Sequence, residues 1–231
     1  MTYGGHPDQS YRQITYSQHG EDLMIVGLFD QLGIKTPSYL DLGAHHPVHI
    51  SNTKLLYDRG SRGVNVEANP NLIREFIFQR PHDVNVNYGV GLMTSEATFY
   101  MYDNWSGRNT FSKTELARVT EDYGMKLQST QLIPILRLDE IVDRYCNGLF
   151  PEFLTSDIEG LDFDILQQAY FFSTRGKPKI ICVEVRLKDT QSFCYMLRGK
   201  GFEPYCRMGE NMIFVDKILT TQLQQGWYYL G

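Results

Sequence analysis

The sequence predicts an α/β fold wound around a mostly parallel sheet, and three observations predict it. Short apolar runs alternate with amphipathic stretches along the 231 residues, the pattern that strand–helix–strand units produce. Acidic residues close several of those runs, namely Asp41, Glu67, Asp157 and Glu184. The run Lys179-Ile180-Ile181-Cys182-Val183-Glu184-Val185 is the most apolar segment, as a central strand buried on both faces requires.

The elements follow in order. Tyr39-Leu40-Asp41-Leu42 reads as the first strand and ends in Gly43-Ala44; Ser51-Asn52 then caps a helix through residues 54–57 that Gly60 stops. Gly63-Val64-Asn65-Val66-Glu67 is a second strand. Asn69 follows at a cap position and Pro70 at the first helical position, where its missing N–H costs nothing. Leu72, Ile73, Phe76 and Ile77 are expected on one face of that helix. Residues 83–87 alternate as a third strand and enter the small-residue turn Tyr88-Gly89-Val90-Gly91.

The middle is less regular. Residues 97–102 form an aromatic-rich strand, and residues 103–112 a polar loop containing NWSGRNTFS that has the makings of a lid. Helices are expected over residues 113–123 and 139–145, with a strand at 132–136 that Pro134 should push to an edge or an end. Phe153-Leu154-Thr155-Ser156-Asp157-Ile158 leads through Glu159-Gly160 into a helix, and a helix near 191–200 precedes two closing strands, 202–206 and 211–215.

Composition narrows the classes. Lys and Arg number 22 against 27 Asp and Glu, a formal charge of -5 with no basic run, which argues against a nucleic-acid partner. No stretch approaches a membrane span and the N-terminus lacks a secretion signal, so a cytoplasmic protein is expected. Cys146, Cys182, Cys194 and Cys206 stand singly, as reduced thiols would; the lack of a CxxC pair disfavours a thiolate zinc site.

Ligands of open parallel sheets bind beyond the carboxyl ends of the strands, so the four strand-end acids carry the functional reading. A carboxylate about 20 residues beyond a strand–Gly–helix unit suits the hydroxyls of a ribose, and Glu67 stands so after Asp41. The first turn reads DLGAHHP and lacks the glycines through which backbone approaches a pyrophosphate. Asp41 would repel phosphate but can pair with an ammonium. S-adenosylmethionine has a ribose and an amino acid and no phosphate.

At the level of motifs the chain resembles the FkbM-type S-adenosylmethionine-dependent methyltransferases. The blocks are YSQHGEDL at 16–23, YLDLGAHHPVHISNTKLLYDRGSRGVNVEANP at 39–70, NTFS at 109–112, FLTSDIEGLDFDIL at 153–166 and KIICVEV at 179–185. The resemblance implies a class I methyltransferase Rossmann-like fold, with a seven-stranded mostly parallel sheet, helices on both faces and the last strand antiparallel. It implies one methyltransferase domain over residues 1–231, with an N-terminal cap at 1–37, a catalytic core at 38–216 and a tail at 217–231.

Carried over by residue, Asp41, Gly43 and Ala44 would surround the methionine portion and Glu67 the ribose, with Asn69 nearby. Asn87 and Gly89 would border the adenine, and Gln18 and Asn52 would lie close to the cofactor. Asp157 and Glu159, from the D-x-E-G block, would line the place where donor meets acceptor. The chain departs from many members in having His45-His46 in place of Gly or Asn and Ser61 in place of Trp, and the His pair bears on acceptor chemistry.

The expected enzyme is an O-methyltransferase of the EC 2.1.1 class using S-adenosyl-L-methionine. The acceptor is a sugar, glycan or secondary-metabolite hydroxyl, with polysaccharide biosynthesis as a setting. His46 or Asp157 is expected to take the acceptor proton, with Glu184 as an orienting partner. Asp157, Glu159 and Glu184 would also suit Mg2+; no metal is predicted. The alternatives are methylation of a phospho-sugar or phosphoramidate and a noncatalytic nucleotide-binding module of the same fold. An NAD-dependent oxidoreductase is opposed by the missing phosphate glycines.

Overall fold

The computed structural model describes residues 13–158, 160–171 and 175–223. Seven strands form the main sheet: β1 (Tyr39–Leu42), β2 (Gly63–Val66), β3 (Val84–Val86), β7 (Phe153–Ser156), β8 (Ile180–Glu184), β9 (Phe202–Met208) and β10 (Asn211–Asp216). Their order is β3-β2-β1-β7-β8-β10-β9. Strands β3, β2, β1, β7 and β8 run parallel, and β10 is antiparallel to both of its neighbours. The order reverses between β1 and β7, so a crevice opens there at the carboxyl ends.

Period-two alternation sends successive side chains to opposite faces. On one face Tyr39, Phe153, Ile180, Cys182 and Ile213 pack beneath α1 (Glu21–Gln31) and α2 (Lys54–Asp58), through Ile25, Leu28, Phe29 and Leu56. On the other, Leu40, Val66, Leu154, Ile181 and Phe214 pack under α5 (Leu138–Tyr145), α6 (Asp162–Gln168) and α7 (Thr190–Gly199). Each such fully buried side chain contributes roughly 1.5–3 kcal/mol. Helix α1 begins within the SQHGED segment, at Glu21, and has no counterpart among the expected elements.

Helix α3 (Pro70–Gln79) starts as its local chemistry dictates: Asn69 Oδ1 accepts the Asn71 N–H at 3.0 Å and Pro70 occupies the first turn. Leu72, Ile73 and Phe76 are buried, but Ile77 is 57% exposed, which corrects its placement on the core face. Phe76 is the last residue on the core face, and Ile77, one residue on and about 100° around the helix, turns outward.

A second sheet of three strands, β4 (Gly89–Val90), β5 (Ser95–Met101) and β6 (Ser129–Leu136), has β6 in the middle. Pro134 therefore lies in a central strand, not at an edge. The Leu136 carbonyl accepts from Gly91 on the β4 side, and alternation turns Pro134 the same way, to where β4 has not yet begun. Its missing N–H has no ladder partner to lose. Helix α4 (Lys113–Tyr123) follows the 103–112 loop, capped by Ser112, whose Oγ accepts from Glu115 N.

Among the described residues no helix is long and apolar enough to cross a membrane. All four cysteines are free thiols, and burial pushes the Cys146 thiol up to about 12 and the Cys206 thiol up to about 11.

Candidate active site

Because β1, β2, β7 and β8 run parallel, Asp41, Glu67, Asp157 and Glu184 meet at one end of the sheet and line a cleft of about 990 Å³. Gln18, Gly43, Ala44, Asn52, Asn69 and Gly89 line it as well. The turn after β1 is fixed by Gly43 N–H and Ala44 N–H, both donating to the Val66 carbonyl at 3.0 and 3.1 Å. Asp157 N–H donates to the Leu42 carbonyl at 3.0 Å. The β1 and β7 loops are thus locked together at the base of the cleft.

Asp41 is 6% exposed, and among the described residues its one hydrogen-bond donor is the Thr53 hydroxyl, 2.7 Å from Oδ2. Burial pushes its carboxyl up to about 6, against the opposing pull of Thr53 and the nearby Arg80 guanidinium. Glu67 is also buried; Oε1 accepts from Asn69 N at 2.6 Å and Oε2 from His45 N at 2.7 Å. Burial pushes its carboxyl up to about 7 against those two donors and the Ala68 N–H, and the Asp41 charge adds to the rise. Two buried carboxylates with spare acceptor capacity form the floor of the cleft.

Asn87 does not line the cleft. Its side chain donates to the carbonyls of Glu67 and Ala68, at 2.8 Å each, and holds the turn that carries Glu67. Gly89 does line it, but a Cβ there would fall 2.4 Å from Ile135 Cδ1 and 2.8 Å from Phe111 Cζ. Close packing under the small sheet accounts for that glycine.

The histidines divide. His46 Nδ1 accepts the backbone N–H groups of Val48 and His49 at 3.1 and 3.0 Å, and the residue is not part of the cleft lining. His45 and His49 do line it. His45, in the left-handed region at φ 51, sits beneath Gly107 of the 103–112 loop, and burial pushes its imidazole down to about 4. It is a neutral ring at physiological pH.

Asp157 is exposed at the end of β7 and Glu184 half-buried at the end of β8. Glu159 lies outside the described residues. The D-x-E-G turn is organised by a residue the sequence did not single out, Asp162, which accepts from the Ser156 hydroxyl at 2.6 Å and from Ile158 N at 3.3 Å. Among the described residues no group of three His, Cys, Asp or Glu is arranged to hold a metal ion.

The far wall is aromatic. Phe99 packs on Phe111 with ring centroids 4.7 Å apart, and Trp105, 54% exposed, stands in the cleft lining with Arg108. The 103–112 loop is tied by Asp103 Oδ1, which accepts from Trp105 N and Ser106 N, and by Asn109, which bonds Tyr102 N and the Asp103 carbonyl. Arg108 lies over the Tyr123 ring at 4.0 Å.

Residues 41–204 match the methyltransferase FkbM domain family. The chain belongs to that family. Two solved structures are similar to this FkbM-domain chain. The methyltransferase FkbM of Methylobacillus flagellatus KT is 14% identical, with a TM-score of 0.46 over 78% of this chain and 44% of that one. The precorrin-6y C5,15-methyltransferase of Geobacter metallireducens GS-15 is 13% identical, with a TM-score of 0.39 over 82% of this chain and 85% of that one. The chain thus spans less than half the length of the first of them. No curated protein matches it.

Proposed function

We propose that the protein is an S-adenosylmethionine-dependent O-methyltransferase acting on a hydroxyl of a sugar, glycan or secondary metabolite. The observation that carries this reading is the pair of buried carboxylates, Asp41 and Glu67, at adjacent parallel strand ends beside a turn without phosphate-binding glycines. The residues present fit the cofactor. A carboxylate offers about four lone-pair sites. Glu67 has given up two to Asn69 N and His45 N, and the Ala68 N–H also acts on it, so capacity remains for a ribose hydroxyl. Asp41, with one donor, has capacity for an ammonium.

S-adenosylmethionine supplies an electrophilic methyl group on a cationic sulfonium. The protein's part is then positioning and proton removal. Asp41 and Glu67 would hold the cofactor, and Ala44 and Asn69 would flank it. Asp157 and Glu184 stand at the next strand ends, where an acceptor hydroxyl would lie, and Asp157, exposed to the cleft, would take its proton. His45 also lines the cleft as a neutral ring, and burial makes it a weaker proton acceptor than a free imidazole. His46, whose Nδ1 is engaged by its own loop, is assigned a structural part. Trp105 offers a flat apolar face to a sugar ring at the mouth.

Calorimetric titration with S-adenosylmethionine, S-adenosylhomocysteine and NAD tests the proposal. Micromolar binding of the two adenosyl ligands and none of NAD is expected, followed by methyl transfer in a screen of nucleotide sugars and glycans. Absence of adenosyl binding would overturn it.

A further inference from the structure

Behind Asp41, on the side away from the cleft, lies a buried chain of polar groups. Arg80 follows α3 and is 0% exposed. Its Nη1 donates to Thr53 Oγ1 at 3.0 Å, its Nη2 to the Tyr39 hydroxyl at 2.6 Å and its Nε to Asp83 Oδ2 at 2.9 Å. The Tyr39 hydroxyl donates to the same Asp83 oxygen at 2.6 Å, and Asn65 Nδ2 reaches it at 3.0 Å. Asp83 Oδ1 accepts from Gly63 N at 2.9 Å. The guanidinium is enclosed by the rings of Tyr39, Tyr57 and Phe76 at 5.2–5.4 Å.

This arrangement has a direction. A threonine hydroxyl has a single proton. Arg80 has only donors to offer, so Thr53 Oγ1 must accept from it, and the one hydroxyl proton is left for Asp41, 2.7 Å away. The Asp83 carboxylate balances the guanidinium, which is what permits an arginine to be buried at all. We propose that Arg80 is a positioning residue of the cofactor site, acting through Thr53 to orient the Asp41 carboxylate toward the cleft. The inference rests on the reading of Asp41 as a cofactor ligand.

Charge supports the geometry. The groups acting on Asp41 are Thr53 from the start of α2, Arg80 and Asp83 from the turn between α3 and β3, and Glu67 from the end of β2; Tyr39 lies on its own strand, and Asp157 beyond β7 lines the same cleft. Lys54 on α2 is engaged with Asp58. Arg80 and Thr53 pull the Asp41 carboxyl down against its burial. Removing the link should therefore raise its midpoint.

Thr53→Val deletes the hydroxyl at nearly constant volume, and Thr53→Ser keeps it. The Asp41 carboxyl is titrated by carbon-13 NMR, assigned with Asp41→Asn, and S-adenosylhomocysteine affinity is measured from pH 5 to pH 8. In Thr53→Val the midpoint should rise by about one unit, the scale of a hydrogen bond to a charged group. Affinity at pH 6 should fall about tenfold. Thr53→Ser should restore both. A purely structural threonine would lower thermal stability and leave the midpoint where it was, and that result overturns the proposal. Should Thr53→Val not fold, the wild type gives the same reading. The Arg80 guanidinium nitrogen-15 resonance should move with the Asp41 midpoint, and one that does not move overturns the relay. A wild type that binds no adenosyl ligand overturns the cofactor reading instead, and the carboxyl titration tells the two failures apart.

Discussion

Gly43 lies directly against Asp157: a Cβ on Gly43, whose φ is +73, would fall 2.0 Å from the Asp157 carbonyl oxygen and 2.9 Å from its carbonyl carbon. The obstacle is backbone, so no side chain can swing aside. Gly43→Ala should cost about 1–2 kcal/mol for the left-handed conformation and about 1–3 kcal/mol for the overlap. It should also push the β1 and β7 loops apart, and with them Asp41 and Asp157. Urea unfolding and S-adenosylhomocysteine titration check both effects; an alanine variant with wild-type stability and affinity would sink the account.

The cleft carboxyls set a pH dependence. Burial raises Asp41 to about 6 and Glu67 to about 7. In the free protein the folded state therefore holds more protons than the unfolded chain between the ordinary carboxylate range and about 7. Stability contributed by these groups is present below the unfolded pKa and declines as pH rises through the folded values. Ligand binding has the opposite sign, because hydroxyl and ammonium donors need the ionised carboxylates. Affinity for S-adenosylhomocysteine should climb from pH 5 to about pH 7.5 and then level. Calorimetry in buffers of different ionisation heat should detect proton release at pH 6 and none at pH 8.5.

Glu67→Gln separates these signs in one protein. It removes a carboxylate that must ionise while buried, which at pH 8 offsets part of what the free protein loses with a backbone hydrogen bond. It also turns one acceptor oxygen into a donor facing Asn69 N or His45 N, each of which already donates there. Adenosyl affinity should fall by roughly 1.5–3 kcal/mol, the scale of hydrogen bonds to a charged group. Thermal melts at pH 8 with and without ligand are the check: a gain from ligand as large as in wild type would remove Glu67 from the cofactor site.

Asp157 and His46 make contrasting variants. Asp157 is exposed to the cleft, so Asp157→Asn should spare thermal stability and lower turnover roughly 10²–10⁴-fold, as loss of a general base does. His46→Ala removes the acceptor of two backbone N–H groups and should cost about 1–2 kcal/mol of stability, with the smaller effect on turnover. The reverse pattern would return the proton to His46.

Local chemistry and strand direction were legible in the sequence. Asn69 and Pro70 announce the start of α3 because a cap is made within three residues. The four strand-end acids could be grouped because parallel strands bring their carboxyl ends to one edge. What depends on packing was not legible. Arg80 and Asp83, beside Pro81, look like a solvated turn, and nothing local says that both side chains are 0% exposed. Ile77 looks like core and is not, and Pro134 is tolerated in a middle strand only because β4 is two residues long. His45 and His46 share the same chemistry in the sequence; the turn that places His45 in the cleft lining is a left-handed backbone no pattern reveals.

Asn69 joins the cofactor floor to the loop above it. Its Oδ1 caps α3 by accepting from Asn71 N at 3.0 Å, while its Nδ2 donates to the Asn104 carbonyl, also at 3.0 Å. The two halves can be separated. Asn69→Asp keeps the cap and adds a charge that a helix N-terminus favours, yet sets an acceptor against the Asn104 carbonyl. Asn69→Ala loses both bonds and about 1 kcal/mol of helix stability. Hydrogen exchange should therefore show residues 103–112 less protected in both variants, and the first turn of α3 less protected only in Asn69→Ala. If the 103–112 amides of Asn69→Asp exchange as in wild type, the loop is held by its other bonds, those of Asp103, Asn109, Asn71 and Thr110, and its seating over the cleft does not depend on Asn69.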